Sequence, residues 1–379
     1  MNLGLAMPGL GFQGGLERHG ADLARALISR GHRVRLLHGA QRGRDAENFR
    51  AAFSSAMPVD SPGATDGLEL IWIEKSSSLE ELRPFGKLPL LLAVHDHDLT
   101  CVRTSRMLAI GRTPCLRPPG IACAAHGCIV VRQRAPGHLP LALRNPFSLR
   151  DRLHALSLRA PLIACSQFLA STLVAAGASP SRVSHLHPIP PEDLSPQRPR
   201  PGAARLLVAG QLVHGKGIDL AIAALHHLPQ HVTLDIAGDG PSRGALEQMA
   251  RSTGLHGRVH FHGYVAPERM PALYDDASVV LVPSRWPEPF GLIGIEAMRR
   301  ARPVAAAAHG GITEWLPQGA GGEGFLPGDA RDLARAALLL LRDPAAGERA
   351  RAEMLRRFSH AKSIDLIEEA LHREGVGEI

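Results

Sequence analysis

The chain has 379 residues, 45% of them apolar, with 39 glycines and 30 prolines, which is ample for two domains that each hold a core. Apolar runs such as Leu88-Pro-Leu-Leu-Leu-Ala-Val94 fall far short of the ~18 residues of a membrane span, and no basic-then-apolar leader opens the chain, so a cytoplasmic location is expected. A net charge of +7 favours an anionic partner, while 4% aromatic content and the lack of a helix-turn-helix or RNA-binding signature disfavour nucleic acid.

Short apolar strands alternate with helical patterns in both halves. The expected strands are Leu3–Met7, Arg33–Leu37, Leu68–Ile73, Leu88–Val94, Leu162–Ala164 and Val183–Leu186, then Leu206–Ala209, Leu234–Ala237, Val259–Phe261, Val279–Val282 and Val304–Ala307. This alternation predicts α/β architecture with parallel sheets in two Rossmann-like domains, whose ligands bind beyond the C-terminal strand ends.

After the first strand, Met7-Pro-Gly9-Leu-Gly-Phe-Gln-Gly14-Gly15-Leu-Glu17 places four glycines in seven positions, from Gly9 to Gly15. Such a loop permits close backbone approach to an anion. It is not a GxGxxG fingerprint, since the acid expected about twenty residues later is missing. After the fourth strand, Val94-His95-Asp96-His97-Asp98 sets polar side chains at a strand end, with His95 the foremost polar candidate of this half. A metal-binding His-Asp pair and a structural histidine are the competing readings.

Cys101, Cys115, Cys123 and Cys128 follow, with the spacing C-x13-C-x7-C-x4-C, and Cys165 stands apart as a buried small residue. A structural Zn2+ on four thiolates, free thiols and disulfides are the alternatives, and His126 is able to replace one thiolate. From Cys101 to Ala160 there are ten arginines and one acidic residue, Asp151. With the interspersed Leu and Pro of Arg132–Arg144, this basic field reads either as peripheral contact with anionic lipid or a pyrophosphate-bearing acceptor, or as a solvated arginine-rich face.

Six prolines between His187 and Gly202 mark an interdomain linker. The domains expected are therefore 1–187, with an insertion at about 100–145, the linker 188–203, a second domain 204–358, and a C-terminal helix 359–379 returning to the first domain.

The second half opens with Leu206-Leu-Val-Ala-Gly210-Gln211-Leu-Val-His-Gly215-Lys216-Gly217-Ile218-Asp219, a strand, a glycine-rich loop and a helix start. Ile236-Ala-Gly238-Asp239-Gly240-Pro241-Ser-Arg243 is a second glycine turn, with Arg243 reaching solvent or a nucleotide. Phe261-His-Gly263-Tyr264-Val265 suits either base contact or core packing. Trp286-Pro-Glu288-Pro-Phe290-Gly291-Leu292-Ile293-Gly294-Ile295-Glu296 then sets two carboxylates eight positions apart around a helix N-terminus at about Phe290. The backbone N–H groups of Phe290, Gly291, Leu292 and Ile293 would favour a phosphate there, and the two carboxylates would accept from sugar hydroxyls. The plainer reading is a surface helix in which Glu296 pairs with Arg300 at i+4.

Taken in order, these segments resemble retaining glycosyltransferases of family 4, with their Gly-Gly-x-Glu opening, donor-phosphate loop and Glu-x7-Glu signature. The resemblance runs from Leu3 to about Arg342 and implies a GT-B fold, two Rossmann-like domains facing a central cleft. It also implies transfer of a sugar from a nucleoside diphosphate with retention, to a glycan, lipid-linked or small-molecule acceptor, with no catalytic metal. By the same resemblance Gly14 and Gly15 approach the donor, His95 orients the reacting sugar, and Lys216 and the Gly291 turn hold the diphosphate. Glu288 grips the donor sugar, Glu296 the ribose, and Tyr264 and Val265 lie beside the base. One departure is Gln211, where relatives usually carry an arginine. Replacing a charge-assisted hydrogen bond of roughly 1.5–3 kcal/mol by a neutral one of about 0.5–1.5 predicts donor binding about tenfold weaker. A binding protein without catalysis, and a GT-B epimerase or phosphorylase, are the alternatives. A role in cell-envelope polysaccharide synthesis at the inner face of the membrane is the expected setting.

Overall fold

The computed structural model describes residues 1–132, 141–190 and 204–375, so residues 191–203 of the expected linker 188–203 and the arginine-bearing stretch 133–140 lie outside the described residues. The chain divides into two compact units, Met1–Pro191 with His360–Ile379, and Glu192–Ser359.

The first unit contains β1 (Asn2–Leu10), β2 (Arg33–Arg42), β3 (Ser55–Pro58), β4 (Leu70–Ile73), β5 (Leu90–Val94), β6 (Val130–Arg132), β7 (Leu141–Leu143), β8 (Leu162–Ala164) and β9 (Val183–His185). Seven of these form one parallel sheet in the order β3-β2-β1-β4-β5-β8-β9, and β6 pairs antiparallel with β7. All five residues of β5 are buried, as a strand covered on both faces requires. The helix Gly15–Ser29 starts with a capping contact, Gly14 N–H donating to Glu17 Oε2 at 2.8 Å, and lays Leu23, Ala24 and Leu27 into the core with β1 and β2. Strand order reverses between β1 and β4, the switch point beside which such sheets bind ligands.

The helix His360–Gly375 belongs to this same unit. Its Ile364, Ile367 and Leu371, spaced three and four apart, are buried in the core that holds β1 and β4. Arg30 pairs with Asp365 at 2.7 Å and Glu368 at 3.2 Å, and His32 Nε2 lies 3.0 Å from Glu368.

The second unit contains β10 (Arg205–Ala209), β11 (Thr233–Ala237), β12 (Val259–Gly263), β13 (Val279–Val282), β14 (Val304–Ala307) and β15 (Gly322–Phe325), all parallel in the order β12-β11-β10-β13-β14-β15. Its core combines Leu206, Val208, Leu234, Ile236, Val279 and Leu281 from the central strands with Leu220, Ile222, Leu225, Leu333, Ala336 and Leu340 from flanking helices. Both units are Rossmann-like. β3, β6, β7 and β15 escape the sequence pattern for one reason: Ser-Ala-Met-Pro, two three-residue strands and Gly-Glu-Gly-Phe carry neither a long apolar run nor clear alternation.

Candidate functional site

In the second unit β10 and β13 are neighbours, so the loops leaving their C-terminal ends meet. The Pro287 and Pro289 rings keep the segment after β13 from continuing as a strand or helix. Gly310 and Gly311 pack on its backbone, and Gly311 N–H donates to the Glu288 carbonyl at 2.8 Å. These two glycines, which the sequence assigns to architecture, thus shape the loop carrying Glu288.

Glu288 is 4% exposed, and its Oε1 accepts from Ser284 Oγ at 2.5 Å, Lys216 Nζ at 2.7 Å and Trp286 Nε1 at 2.9 Å. Burial alone would raise its pKa. The Lys216 charge and the three donors outweigh burial and hold the carboxyl below its ordinary value. Lys216 ends the turn His214–Lys216, and its Nζ stands 5.4 Å from the centre of the Trp286 ring. The next residue has φ +65°, and a Cβ there would fall 1.9 Å from the Pro283 carbonyl oxygen, so only glycine serves at Gly217. The fold thus joins two charged groups 72 residues apart in sequence. They form a cation held by a buried anion, an arrangement able to present Lys216 to a phosphate.

The helix after Glu288 spans Leu292–Arg299, two residues later than the periodicity suggests, because Gly291 at φ +93° is its N-cap. Phe290 precedes it as a buried residue whose carbonyl accepts from Trp315 Nε1 at 2.6 Å. Glu296 lies in the second turn, half-buried, and accepts from Tyr274 Oη at 2.7 Å. Arg300, its partner in the plainer reading, instead pairs with Asp275, Nε to Oδ1 at 2.9 Å.

Gln211 is exposed, and its carbonyl accepts from Val213 N–H at 2.9 Å. Gly238 N–H donates to the Gly263 carbonyl at 2.8 Å, which closes the turn after β11 onto β12. Arg243 lies over its own helix, 2.9 Å from Glu247 and 3.7 Å from Asp239. Tyr264 is 45% exposed and Val265 is half-buried, which removes core packing as the reading for the tyrosine ring.

In the first unit Gly14 and Gly15 are exposed, and a Cβ built on Gly15 would meet nothing within 4 Å, leaving the loop after β1 open. His95 follows β5, and its Nε2 lies 2.6 Å from Oε2 of Glu74, the residue that follows β4. Glu74 is 1% exposed and also takes His19 Nδ1 at 3.3 Å and Trp72 Nε1 at 3.1 Å. Burial alone would raise the Glu74 pKa, but the two imidazoles hold it well below the carboxylate range. For His19 burial works against the proton, and Glu74 overrides it, so its pKa is raised. The acids beside His95 are not its partners: Lys75 binds Asp96 at 2.7 Å and Asp98 at 2.6 Å. Among the described residues, the metal-capable His, Cys, Asp and Glu group is His19, Glu74 and His95 rather than a His-Asp pair.

Glu74, His19, Tyr274 and Trp315 escape sequence reasoning. A glutamate directly after the apolar run Leu70–Ile73 was the available signal, since charge at a strand C-terminus has a purpose more often than charge within a loop.

In the basic field, Arg103, Arg106, Arg144 and Arg159 donate to backbone carbonyls, so part of this charge braces loops rather than forming a solvated face. Ile110, Leu116, Ile121 and Leu143 are more than 60% exposed in the same stretch of chain. Among the described residues no helix is long and apolar enough to cross a membrane.

Residues 13–189 match the family model for Glycosyltransferase Family 4, and residues 192–372 match that for Glycosyl transferases group 1. The two matches run through both units, and the chain belongs to the GT-B glycosyltransferases of this family 4 and group 1 type. Its fold is that of HepE from Anabaena, solved in complex with UDP-glucose, at TM-score 0.70 and 20% identity over 98% of this chain and 99% of that one. The glycogen synthase of Mycobacterium tuberculosis is 37% identical over 156 residues, which are 40% of this chain and 37% of that protein. The D-inositol 3-phosphate glycosyltransferase of Xylanimonas cellulosilytica is 40% identical over 111 residues, 28% of this chain and 26% of that protein. The chain thus spans under two fifths of the length of these curated relatives.

Proposed function

We propose that the protein transfers a sugar, with retention, from a nucleoside-diphosphate sugar to a glycan, lipid-linked or small-molecule acceptor. The observation that carries this is Lys216, fixed 2.7 Å from the buried Glu288 beside the N-terminus of the helix Leu292–Arg299. Charge develops on the leaving diphosphate as the C1–O bond breaks, and a preorganised cation and helix N-terminus stabilise charge at that point. The acceptor oxygen bonds to C1 on the same face, and its proton passes to the departing phosphate oxygen. No protein nucleophile or catalytic metal is required. Glu288 both fixes Lys216 and contacts the sugar, Glu296 binds ribose hydroxyls, His95 orients the reacting sugar, and Tyr264 and Val265 lie against the base. The Gly14-Gly15 loop approaches the donor, and Gly238 and Arg243 border the nucleotide.

HepE is solved with UDP-glucose, which makes that the first donor to test. Incubation with UDP-glucose and related donors should release nucleoside diphosphate once an acceptor is supplied, and proton NMR of the product should show the donor's anomeric configuration. Inversion would remove the retaining mechanism. The exposed Gln211 side chain favours one second reading, a protein that binds the nucleotide sugar without turnover. Tight donor binding with no product from any acceptor would support that reading instead. The arginines and exposed apolar side chains between Cys101 and Ala160 suit a lipid-linked acceptor at the cytoplasmic face of the membrane, and co-sedimentation with anionic but not neutral vesicles is the corresponding test.

A further inference from the structure

The excursion from Cys101 to Ile129 has little core of its own. Val102, Cys128 and Leu149 form its small buried cluster, with Leu108, Ala109 and Cys123 packed against it, while Ile110, Leu116 and Ile121 are exposed. So long a connection with so few apolar contacts needs another constraint to hold one conformation. It also carries three of the five non-glycine residues at positive φ among those described, Thr104, Arg106 and Arg112.

The backbone gathers the cysteines. Leu108 N–H donates to Thr113 O at 2.9 Å and Cys115 N–H to Arg106 O at 2.7 Å, closing a tight hairpin that sets Cys115 beside Arg106. Cys128 N–H donates to Cys123 O at 2.7 Å, folding the C-x4-C pair into one turn. Cys123 and Cys128 pack in one small cluster with Val102, the neighbour of Cys101, and with Leu108 and Ala109 of the hairpin that ends at Cys115. All four are free, and Cys128 is buried.

Arg106 supplies a second, independent observation. It is 3% exposed and donates to the carbonyls of Cys115 at 2.9 Å and Arg117 at 3.2 Å. Both of these acceptors are neutral carbonyls, so the contacts satisfy its N–H groups without supplying a carboxylate for its charge. A buried guanidinium without an anion is costly, and thiols become anions when they bind a metal.

We propose that Cys101, Cys115, Cys123 and Cys128 bind one structural Zn2+ as thiolates, with the buried Arg106 as counter-charge. Four thiols release four protons to the solvent, and the resulting zinc tetrathiolate carries two net negative charges beside the guanidinium. Thiolates select zinc among the common hard and soft divalent ions. The Nε2 of His126 lies 2.7 Å from Arg117 Nη1, and the proposal takes the four sulfurs as the ligand set. Among the described residues no three of the sulfurs share the 4.8 Å mutual spacing that joins His19, Glu74 and His95, so binding requires the hairpin and the C-x4-C turn to close on the ion.

The test is elemental analysis of the full chain, purified under reducing conditions without a metal-affinity step, alongside mercurial titration of its thiols. About one zinc per chain, released in step with thiol modification, is expected. Zinc should be lost in the Cys115→Ser/Cys123→Ser double variant and kept in Cys165→Ser. If the double variant fails to fold, Co2+ substitution of the wild type provides the second measurement, with tetrahedral thiolate absorption expected. Zinc well below one per chain with immediately reactive thiols, or a disulfide among the four, would overturn the proposal. Metal content is read without turnover, so a protein that holds zinc and binds no nucleotide sugar sustains this inference while removing the proposed activity.

Discussion

Glu74 ties His19 and His95 together, and its chemistry gives the first unit a pH signature. His19 is raised above 6.5, so its contribution to stability is full below about that pH and is lost as pH rises through its folded value. Glu74 is lowered from 4.5, so its contribution is present above about that pH and is lost as pH falls toward its folded value. The stability difference between wild type and Glu74→Gln should therefore be largest between about pH 4.5 and 6.5 and shrink on both sides. In Glu74→Gln at neutral pH, His19 has lost its buried anion and burial favours its neutral form, which limits the cost to about 1–3 kcal/mol. Thermal unfolding from pH 4 to 9 measures it, and a difference independent of pH would contradict the pairing. Glu288 follows the carboxylate rule as well: its pKa is depressed, so Glu288→Gln should destabilise the second unit at pH 7 and lose that effect as pH falls toward the folded value. Urea unfolding at the two pH values reads this. Lys216, Glu288 and His95 stand out in the sequence as polar candidates because each lies in a motif-bearing segment that follows an apolar strand. Glu74 and Tyr274 are not, since each acts on a residue brought near only by the parallel pairing of β4 with β5 and by the helix packing around Glu296.

At the scale of elements, the helix Leu292–Arg299 owes its position to Trp315. The indole is fully buried, and a Cβ at Gly294 would lie 2.1 Å from the ring. Gly294→Ala should cost about 1–3 kcal/mol by overpacking and displace the helix start that borders Glu288. Gly244→Ala, in the helix Arg243–Ser252 with nothing within 4 Å of the added carbon, is the control and should be neutral or stabilising by about 0.5–1 kcal/mol. Chemical denaturation of both variants decides this, and equal midpoints would remove the argument. The strands of the two sheets were readable where apolar runs are long, as in Leu90–Val94 and Val279–Val282. β3 and β15 were not, because Ser-Ala-Met-Pro and Gly-Glu-Gly-Phe carry neither a long apolar run nor clear alternation.

For the whole molecule, the C-terminal helix is part of the first unit although it follows the second in sequence. Ending the chain at Ser359 removes the buried Ile364, Ile367 and Leu371, each worth about 1.5–3 kcal/mol. Calorimetry should show the first unit's transition falling while the transition that responds to nucleotide stays in place, and a shared fall of both would contradict the division. The alternation of strand and helix made the two-unit α/β plan legible, because the central strands of both sheets are apolar runs. The acceptor was not legible, since loops such as Cys101–Ile129 take their shape from local turns and buried arginines.

The most direct test of the account is calorimetric titration of UDP into wild type, Lys216→Ala and the Gly244→Ala control. Wild type and the control should bind UDP alike, and Lys216→Ala should bind it about 10- to 100-fold more weakly through loss of a charge-assisted contact. Equal affinity in Lys216→Ala, or no binding of any nucleoside diphosphate to wild type, would contradict the account.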